Sequence, residues 1–154
     1  MLESFRSPRP TTNPYITQLH EALRARPDLR VRTFTHTRGL WGRYDLVHLH
    51  WPELFVGGHT VAGRTARRLL TVALVTRWRL TGVPIVRTVH NLERPDGLSR
   101  LDGRLLDDID RCTLLDIRLN HHTAPRPGVP ATTILHGDYR RWFAQTAHAA
   151  AAQP

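Results

Sequence analysis

Residues 44–53 read Tyr44-Asp45-Leu46-Val47-His48-Leu49-His50-Trp51-Pro52-Glu53, and this stretch decides the fold. It predicts an apolar strand that ends in a polar cluster, because Pro52 lacks an N–H and cannot continue a strand ladder. In an open parallel sheet, ligands bind beyond the carboxyl ends of the strands. We therefore expect the residues at the end of this strand to reach a ligand site.

The rest of the chain alternates between helical and strand patterns. Asn13 and Pro14 are suited to begin a helix that ends before Pro27, and Thr60 is suited to cap a second one. Further segments predict a helix at 101–112 and strands at 29–35, 85–89, 114–119 and 132–135. Such alternation predicts an α/β fold: a single Rossmann-like domain over residues 1–143, with a mostly parallel sheet and helices on both faces. Residues 144–154 are Ala-rich and predict a disordered tail or a frayed helix.

The helix after Thr60 carries both an apolar stripe and arginines. We expect its buried face to consist of small and aliphatic residues, namely Ala62, Ala66, Leu69, Leu70, Ala73 and Leu74. The arginines exclude a simple membrane span. Arg64, Arg67 and Arg68 lie opposite the stripe, where a solvated face is the first interpretation and contact with an anionic membrane the second.

Composition limits the classes of partner. The chain has 154 residues, a net charge of +9 and 22 basic residues, all of them arginine. Arginine binds phosphate and carboxylate groups through paired hydrogen bonds, although a GC-rich genome also explains its exclusive use. The arginines are scattered, so no specific nucleic-acid partner is expected. Cys112 is the only cysteine, which excludes an internal disulfide. Its position suits a small core residue on the buried side of a helix. No signal-peptide pattern is present at the start, and a cytoplasmic protein is expected.

Three predicted strands end in histidine beside an amide or a carboxylate, in the segments 48–53, 90–93 and 136–139. Parallel strands place these ends on one rim, and a shared ligand cleft is the simplest explanation. Convergence of the histidines on a metal is disfavoured, because no pair has the helical spacing of zinc ligands. Neither a metal nor another cofactor is predicted.

Four segments together resemble a known family. They are Pro8-Arg9-Pro10-Thr11-Thr12-Asn13-Pro14-Tyr15, the stretch 44–53, Thr88-Val89-His90-Asn91, and His136-Gly137-Asp138-Tyr139-Arg140-Arg141-Trp142-Phe143. In their order and spacing they resemble the amino-terminal domain of GT-B glycosyltransferases, in a bacterial group related to the family-4 type. The resemblance implies the acceptor-side half of an enzyme that transfers a hexosyl group from a nucleotide sugar to a saccharide or a lipid-linked acceptor.

The resemblance also implies roles for single residues. His90 matches a family histidine that faces the transferred sugar and is one catalytic candidate. Glu53 is the other, as an acceptor of a hydroxyl proton, although it would also serve to cap the next turn. The implied substrate-binding residues are Thr11, Thr12, Asn13, His50, Trp51, Asn91, His136 and Asp138.

Structural roles compete with several of these assignments. His48 is better suited to the core than to a ligand, and Trp51 is equally suited to closing the rim of the domain. Residues 11–13 precede a helix, whose free amides bind a sugar hydroxyl or are simply capped. Asn91 suits a turn. His136 and Asp138 lie where the family chain turns toward its second domain, so supporting the hinge is a further role for them.

The sequence departs from the family in having no counterpart of the nucleotide-binding half. We therefore expect the isolated chain to be inactive, either as a fragment or as one subunit that pairs with a separate donor-domain protein. The alternative is a non-catalytic carbohydrate-binding or interaction module. Peripheral contact with the inner face of the membrane is expected in either case.

Overall fold

The computed structural model describes residues 1–58, 60–91, 93–137 and 139. Five parallel strands form one sheet: β1 Leu2–Glu3, β2 Val47–His50, β3 Ile85–Val89, β4 Thr113–Arg118 and β5 Ala131–Thr133. Four α-helices accompany them, α1 Pro14–Arg24, α2 His36–Trp41, α3 Val61–Thr81 and α4 Arg100–Cys112, with a short 3-10 helix at Pro52–Phe55. The predicted parallel α/β class is confirmed, whereas the predicted tail 144–154 lies outside the described residues.

The order of the strands reverses at β1. The five strands follow each other across the sheet in chain order, but the opposite edge of β1 bonds the segment around Arg32, where Glu3 N–H donates to the Arg32 carbonyl over 2.8 Å. The strand predicted at 29–35 is thus reduced to a single parallel bridge. Because the chain adds first to one side of β1 and then to the other, a topological switch point lies between β1 and β2. Right-handed crossovers then place α1 on the face opposite α2, α3 and α4.

The two faces of the sheet differ in chemistry. Leu2, Val47, Leu49 and Ile85 belong to the main hydrophobic core together with side chains from α3 and α4. Alternate residues of the same strands point the other way. They place a buried polar group, Glu3, His48, His50 and Thr88, on the face that α1 covers.

Helix α3 buries a different stripe from the one expected. Its buried residues are Thr71, Leu74, Val75 and Trp78, whereas Leu69 is 66% exposed and Ala62, Ala66 and Ala73 are also exposed. Both stripes have helical spacing, but the observed one buries the larger area through the Trp78 ring. Trp78 Nε1–H donates to Tyr44 Oη over 3.2 Å. The expected stripe was therefore wrong except at Leu74 and, in part, at half-buried Leu70.

An ion pair joins α3 to the beginning of α4. Arg68 Nε and Nη2 donate to the two oxygens of Asp102, each over 2.8 Å. Asp102 also completes a capping box with Ser99 at the amino terminus of α4. The sequence had suggested that Arg68 belongs to a solvated face. The ion pair shows instead that Arg68 is a structural residue. Within the described residues no helix is long and apolar enough to cross a membrane.

Replacement of two helical glycines tests the packing of α2. A Cβ added at Gly39 would lie 2.8 Å from Leu74 Cδ2 and 2.8 Å from Phe34 Cε2, whereas one at Gly103 meets nothing within 4 Å. Overpacking outweighs the gain in helix propensity at the first site, so Gly39→Ala should lower the free energy of unfolding by about 1–2 kcal/mol. The matched control Gly103→Ala should raise it by roughly 0.5–1 kcal/mol. Urea denaturation measures both, and a stabilised Gly39→Ala variant would contradict this packing.

The Asp102 carboxylate should make stability depend on acid pH. Its hydrogen bonds with Arg68 hold its pKa well below the ordinary 3.8. A lowered folded-state pKa contributes stability above the unfolded value, and this contribution is lost as pH falls through the folded one. Asp102→Asn should therefore lower the urea midpoint at pH 7 and flatten its decline below about pH 4. An unchanged acid decline in the variant would rule out this contribution.

Candidate functional site

The strand ends predicted to meet do so on the α1 side of the carboxyl edge. His50 ends β2 and His90 follows β3, and His50 Nδ1 lies 3.1 Å from His90 Nε2. The Tyr15 ring of α1 lies 5.1 Å from the His90 ring and 5.0 Å from the His136 ring, between centroids. His136 in turn lies 2.7 Å from the Tyr139 hydroxyl. Residues from three strand ends and one helix thus share one cluster.

Trp51 occupies an unusual backbone conformation next to this cluster. Its φ of 44° lies in the left-handed region, which residues other than glycine rarely adopt. The turn directs the indole over His90, with centroids 4.0 Å apart and planes 20° from parallel. Pro52 then begins the 3-10 helix, which the sequence had not predicted. The strained residue fixes an aromatic surface at the end of β2.

A cavity of about 460 Å³ opens beside the stacked rings. Trp51, Glu53, His90 and Asn91 line one side of it. Most of the arginines on its other walls are paired: Arg126 binds Asp116 over 2.6 and 2.8 Å, and Arg87 and Arg94 both bind Asp110. The fourth arginine, Arg118, donates to the Thr123 carbonyl over 3.0 Å. This cavity therefore offers many polar groups but little unpaired charge.

A second cavity of about 790 Å³ lies on the other side of Trp51. Its lining includes apolar side chains such as Phe34, Phe55 and Leu70. Four arginines also line it, Arg6, Arg9, Arg38 and Arg67, with no carboxylate among the described lining residues. Trp51 lines both cavities, so the basic cavity and the polar cavity meet at the indole.

Glu3 lies at the centre of the polar face of the sheet, and no motif in the sequence pointed to it. Its side chain is 0% exposed, with Oε1 lying 3.3 Å from His48 Nδ1 and Oε2 3.2 Å from His50 Nε2. Burial raises the pKa of Glu3, but the hydrogen bonds with His48 and His50 oppose it, and the pKa is lowered overall. Glu3 is therefore an ionised carboxylate removed from water.

The same three side chains are the possible metal ligands of the site. The ligand atoms of Glu3, His48 and His50 lie within 4.8 Å of one another. This set differs from the histidine cluster considered from the sequence, which included His90 and His136. Each of the three groups is already satisfied by hydrogen bonds, since His48 Nε2 also lies 2.8 Å from Thr88 Oγ1. The hydrogen bonds alone therefore explain the arrangement.

The remaining predicted site residues are only partly near the cavities. Asn91 lines the polar cavity and donates from Nδ2 to Glu53 Oε1 over 3.2 Å. Asn13 Oδ1 accepts the Tyr15 N–H at the start of α1, as capping requires, whereas Thr12 Oγ1 accepts the Arg9 N–H in the loop before the helix. Together with exposed Thr11 they line neither cavity. Asp138 lies outside the described residues.

Tyr15 is a further residue of the site to which the sequence analysis assigned no role. The segment that carried the family resemblance includes it. Its ring contacts the rings of His50, His90 and His136. Contact with strand ends that are distant in sequence is visible only in the folded chain.

The pKa of His90 should make stability depend on pH between neutrality and mild acid. Burial, with smaller effects of His50 and His136, lowers this pKa from 6.5 to about 4. Between these values the unfolded chain binds a proton that the folded chain does not, so stability falls as pH falls from about 6.5 to about 4. His90→Gln should reduce the slope of the urea midpoint against pH in this window. An equal slope in the variant and the wild type would contradict this origin.

Sequence comparison identifies relatives of the chain. Two curated proteins from Xanthomonas campestris pv. campestris, both named GDP-mannose:glycolipid 4-beta-D-mannosyltransferase, are each 42% identical to it over 146 residues. The match covers 94% of this chain and 40% of the length of either relative. No family model and no solved structure matches. The chain is thus related over nearly its whole length to part of bacterial glycosyltransferases, which confirms the resemblance that its sequence motifs had indicated.

Proposed function

We propose that this chain is the acceptor-side part of a glycosyltransferase that moves a mannosyl group from GDP-mannose to a glycolipid. The observation that carries the proposal is the 42% identity to two proteins named as such enzymes, over 94% of the chain. The chain spans 40% of their length. The complete reaction therefore belongs to an assembly that also contains a donor-binding part, in the same polypeptide or in a separate partner.

The polar cavity supports a role in holding the saccharide. A sugar presents hydroxyl groups together with an apolar ring face, and indole is a suitable surface for that face. Trp51 and Asn91 supply these two kinds of contact at one rim of the cavity. Since three of the four arginines that line it, Arg87, Arg94 and Arg126, are paired with Asp110 or Asp116, a neutral sugar fits this cavity better than a phosphate does.

The basic cavity is suited to bind the part of the acceptor that follows the saccharide, if that part carries both a negative charge and an apolar chain. Its arginines favour phosphate or carboxylate, and its phenylalanine and leucine side chains favour an apolar chain. The saccharide and the lipid-proximal end of one acceptor would then lie on either side of Trp51. Peripheral contact with the inner face of the membrane would give the lipid access to this cavity.

Glu53 and His90 are the two side chains of this site best suited to act as catalytic residues. Glu53 Oε1 accepts a hydrogen bond from Asn91 Nδ2 at the rim of the polar cavity. A carboxylate in this place would receive the proton of an acceptor hydroxyl. His90 lines the polar cavity and is stacked on Trp51. With its pKa lowered to about 4 by burial, His90 is neutral at pH 7 and better suited to accept a hydrogen bond than to remove a proton.

Saccharide binding and sugar transfer test the proposal in two steps. Saturation-transfer NMR with the saccharide portion of a glycolipid should show binding to the chain, and Trp51→Ala should weaken it roughly tenfold, as expected for the loss of about 1.4 kcal/mol of ring contact. Trp41→Ala is the matched control, because Trp41 is 81% exposed and lines neither cavity. Equal losses in the two variants would argue against a specific site.

Transfer itself should require the donor-binding part. The chain is incubated with radiolabelled GDP-mannose and a glycolipid extract, alone and with a protein that supplies a nucleotide-binding domain. Label should enter the lipid fraction only in the combined reaction. Binding of saccharide without transfer in either reaction would favour the alternative, a non-catalytic carbohydrate-binding module, whereas the absence of both would overturn the proposal.

A further inference from the structure

Glu3 is a buried carboxylate to which the proposed reaction assigns no task. It lies 45 residues before His48 and 47 before His50, and one oxygen faces each imidazole. An isolated buried charge is strongly unfavourable unless hydrogen bonds satisfy it. Both carboxylate oxygens therefore require N–H donors, and in the described structure the facing donors are His48 Nδ1 and His50 Nε2.

These bonds determine where the protons of both histidines lie. An ionised carboxylate only accepts, so His48 Nδ1 and His50 Nε2 must each carry hydrogen. Burial lowers the pKa of His50, so its ring is neutral and its second nitrogen is bare. His50 Nδ1 is therefore an acceptor. In a neutral His48 ring, Nε2 is likewise bare. It then accepts a hydrogen bond from the Thr88 hydroxyl over 2.8 Å.

The constraint passes from His50 to His90. The 3.1 Å contact between His50 Nδ1 and His90 Nε2 is a hydrogen bond only if one of the two nitrogens carries hydrogen. Since His50 Nδ1 is bare, His90 Nε2 must donate. With a neutral ring, His90 Nδ1 then holds a lone pair, and it makes no hydrogen bond within the part of the chain that the structure describes.

We infer that Glu3 is a positioning residue: acting through His50, it fixes His90 in the Nε2–H tautomer and leaves Nδ1 free to accept a hydroxyl of the bound saccharide. The saccharide in this statement rests on the proposed function, whereas the order of the protons rests on the geometry of the hydrogen bonds and on the burial that keeps the His50 ring neutral. Trp51 holds the same ring by stacking, so both the plane and the tautomer of His90 are set before a ligand arrives.

Nitrogen-15 NMR of the imidazoles in the intact chain tests this proton order. Long-range proton–nitrogen spectra should show His48 as the Nδ1–H tautomer and both His50 and His90 as the Nε2–H tautomers. A scalar coupling across the hydrogen bond should join His90 Nε2 to His50 Nδ1. His90 protonated at Nδ1, or His48 protonated only at Nε2, would overturn the inference.

Two substitutions at Glu3 separate positioning from simple packing. Glu3→Leu removes both acceptors, which frees His50 to reverse, so we expect the coupling to disappear and His90 to populate the Nδ1–H form. Glu3→Gln keeps one acceptor and adds one donor. Because the Thr88 hydroxyl can turn to accept from His48, we expect His48 to switch tautomer in this variant and His90 to stay unchanged.

Each outcome of these variants bears on the inference. An unchanged His90 tautomer in folded Glu3→Leu overturns it. If Glu3→Leu does not fold, the unchanged tautomer of His48 in Glu3→Gln overturns it instead. Binding of one equivalent of Zn²⁺ by the wild-type chain, with loss of the His48 and His50 N–H signals, also overturns it, because the cluster would then be a metal site.

The saccharide half of the inference is measured separately. Affinity for the saccharide should fall roughly three- to tenfold in Glu3→Leu relative to Glu3→Gln, as expected for one lost hydrogen bond. Equal affinity of the two variants would remove the link between Glu3 and the ligand. If the wild type shows the expected tautomers but binds no saccharide, the proposed function fails while the proton order stands.

Discussion

The candidate site depends on the position of β1 within the sheet. This two-residue strand is hydrogen-bonded on both edges, by the segment around Arg32 on one side and by β2 on the other. A side chain in that position is removed from water whatever its chemistry. Because Leu2 faces the main core, Glu3 must face α1, and it meets the two histidines of β2 there. Reversal of strand order at β1 thus creates both the crevice and the buried charge beneath it.

The distribution of ion pairs explains why so basic a chain has two chemically different cavities. Aspartates of α4 and β4 neutralise most of the arginines around the polar cavity, as the contacts of Arg126 and Arg94 show, and Arg118 is the exception. Arg38 and Arg67 in the basic cavity bond backbone carbonyl groups instead, so their charge remains available. Net charge from composition therefore predicted an anionic partner in general, but its location depends on where the thirteen acidic residues lie.

The sequence predicted β2 to β5 and the meeting of strand ends because both follow from local patterns. Helix caps at Asn13 and Thr60 and the polar residues after β2 and β3 are visible without any tertiary information. The two-residue β1 was not predicted, and the strand expected at 29–35 is a single bridge. Three further features were not predictable from local patterns. The six-residue helix α2 is too short to show a periodicity, the stripe of α3 was decided by the packing of Trp78, and Glu3 acquires its role only from residues more than forty positions later. The last case is the most instructive, since nothing adjacent to Glu3 in sequence distinguishes it from a surface carboxylate.

Trp51 also sets the stability of a turn against an aromatic surface at one position. A residue other than glycine in the left-handed region costs about 1–2 kcal/mol relative to an ordinary conformation. Glycine at position 51 would remove that cost, and asparagine would reduce it. Either residue would also remove the ring that stacks on His90. The turn at φ 44° is therefore less stable than it would be with glycine, and the indole surface is what glycine does not supply.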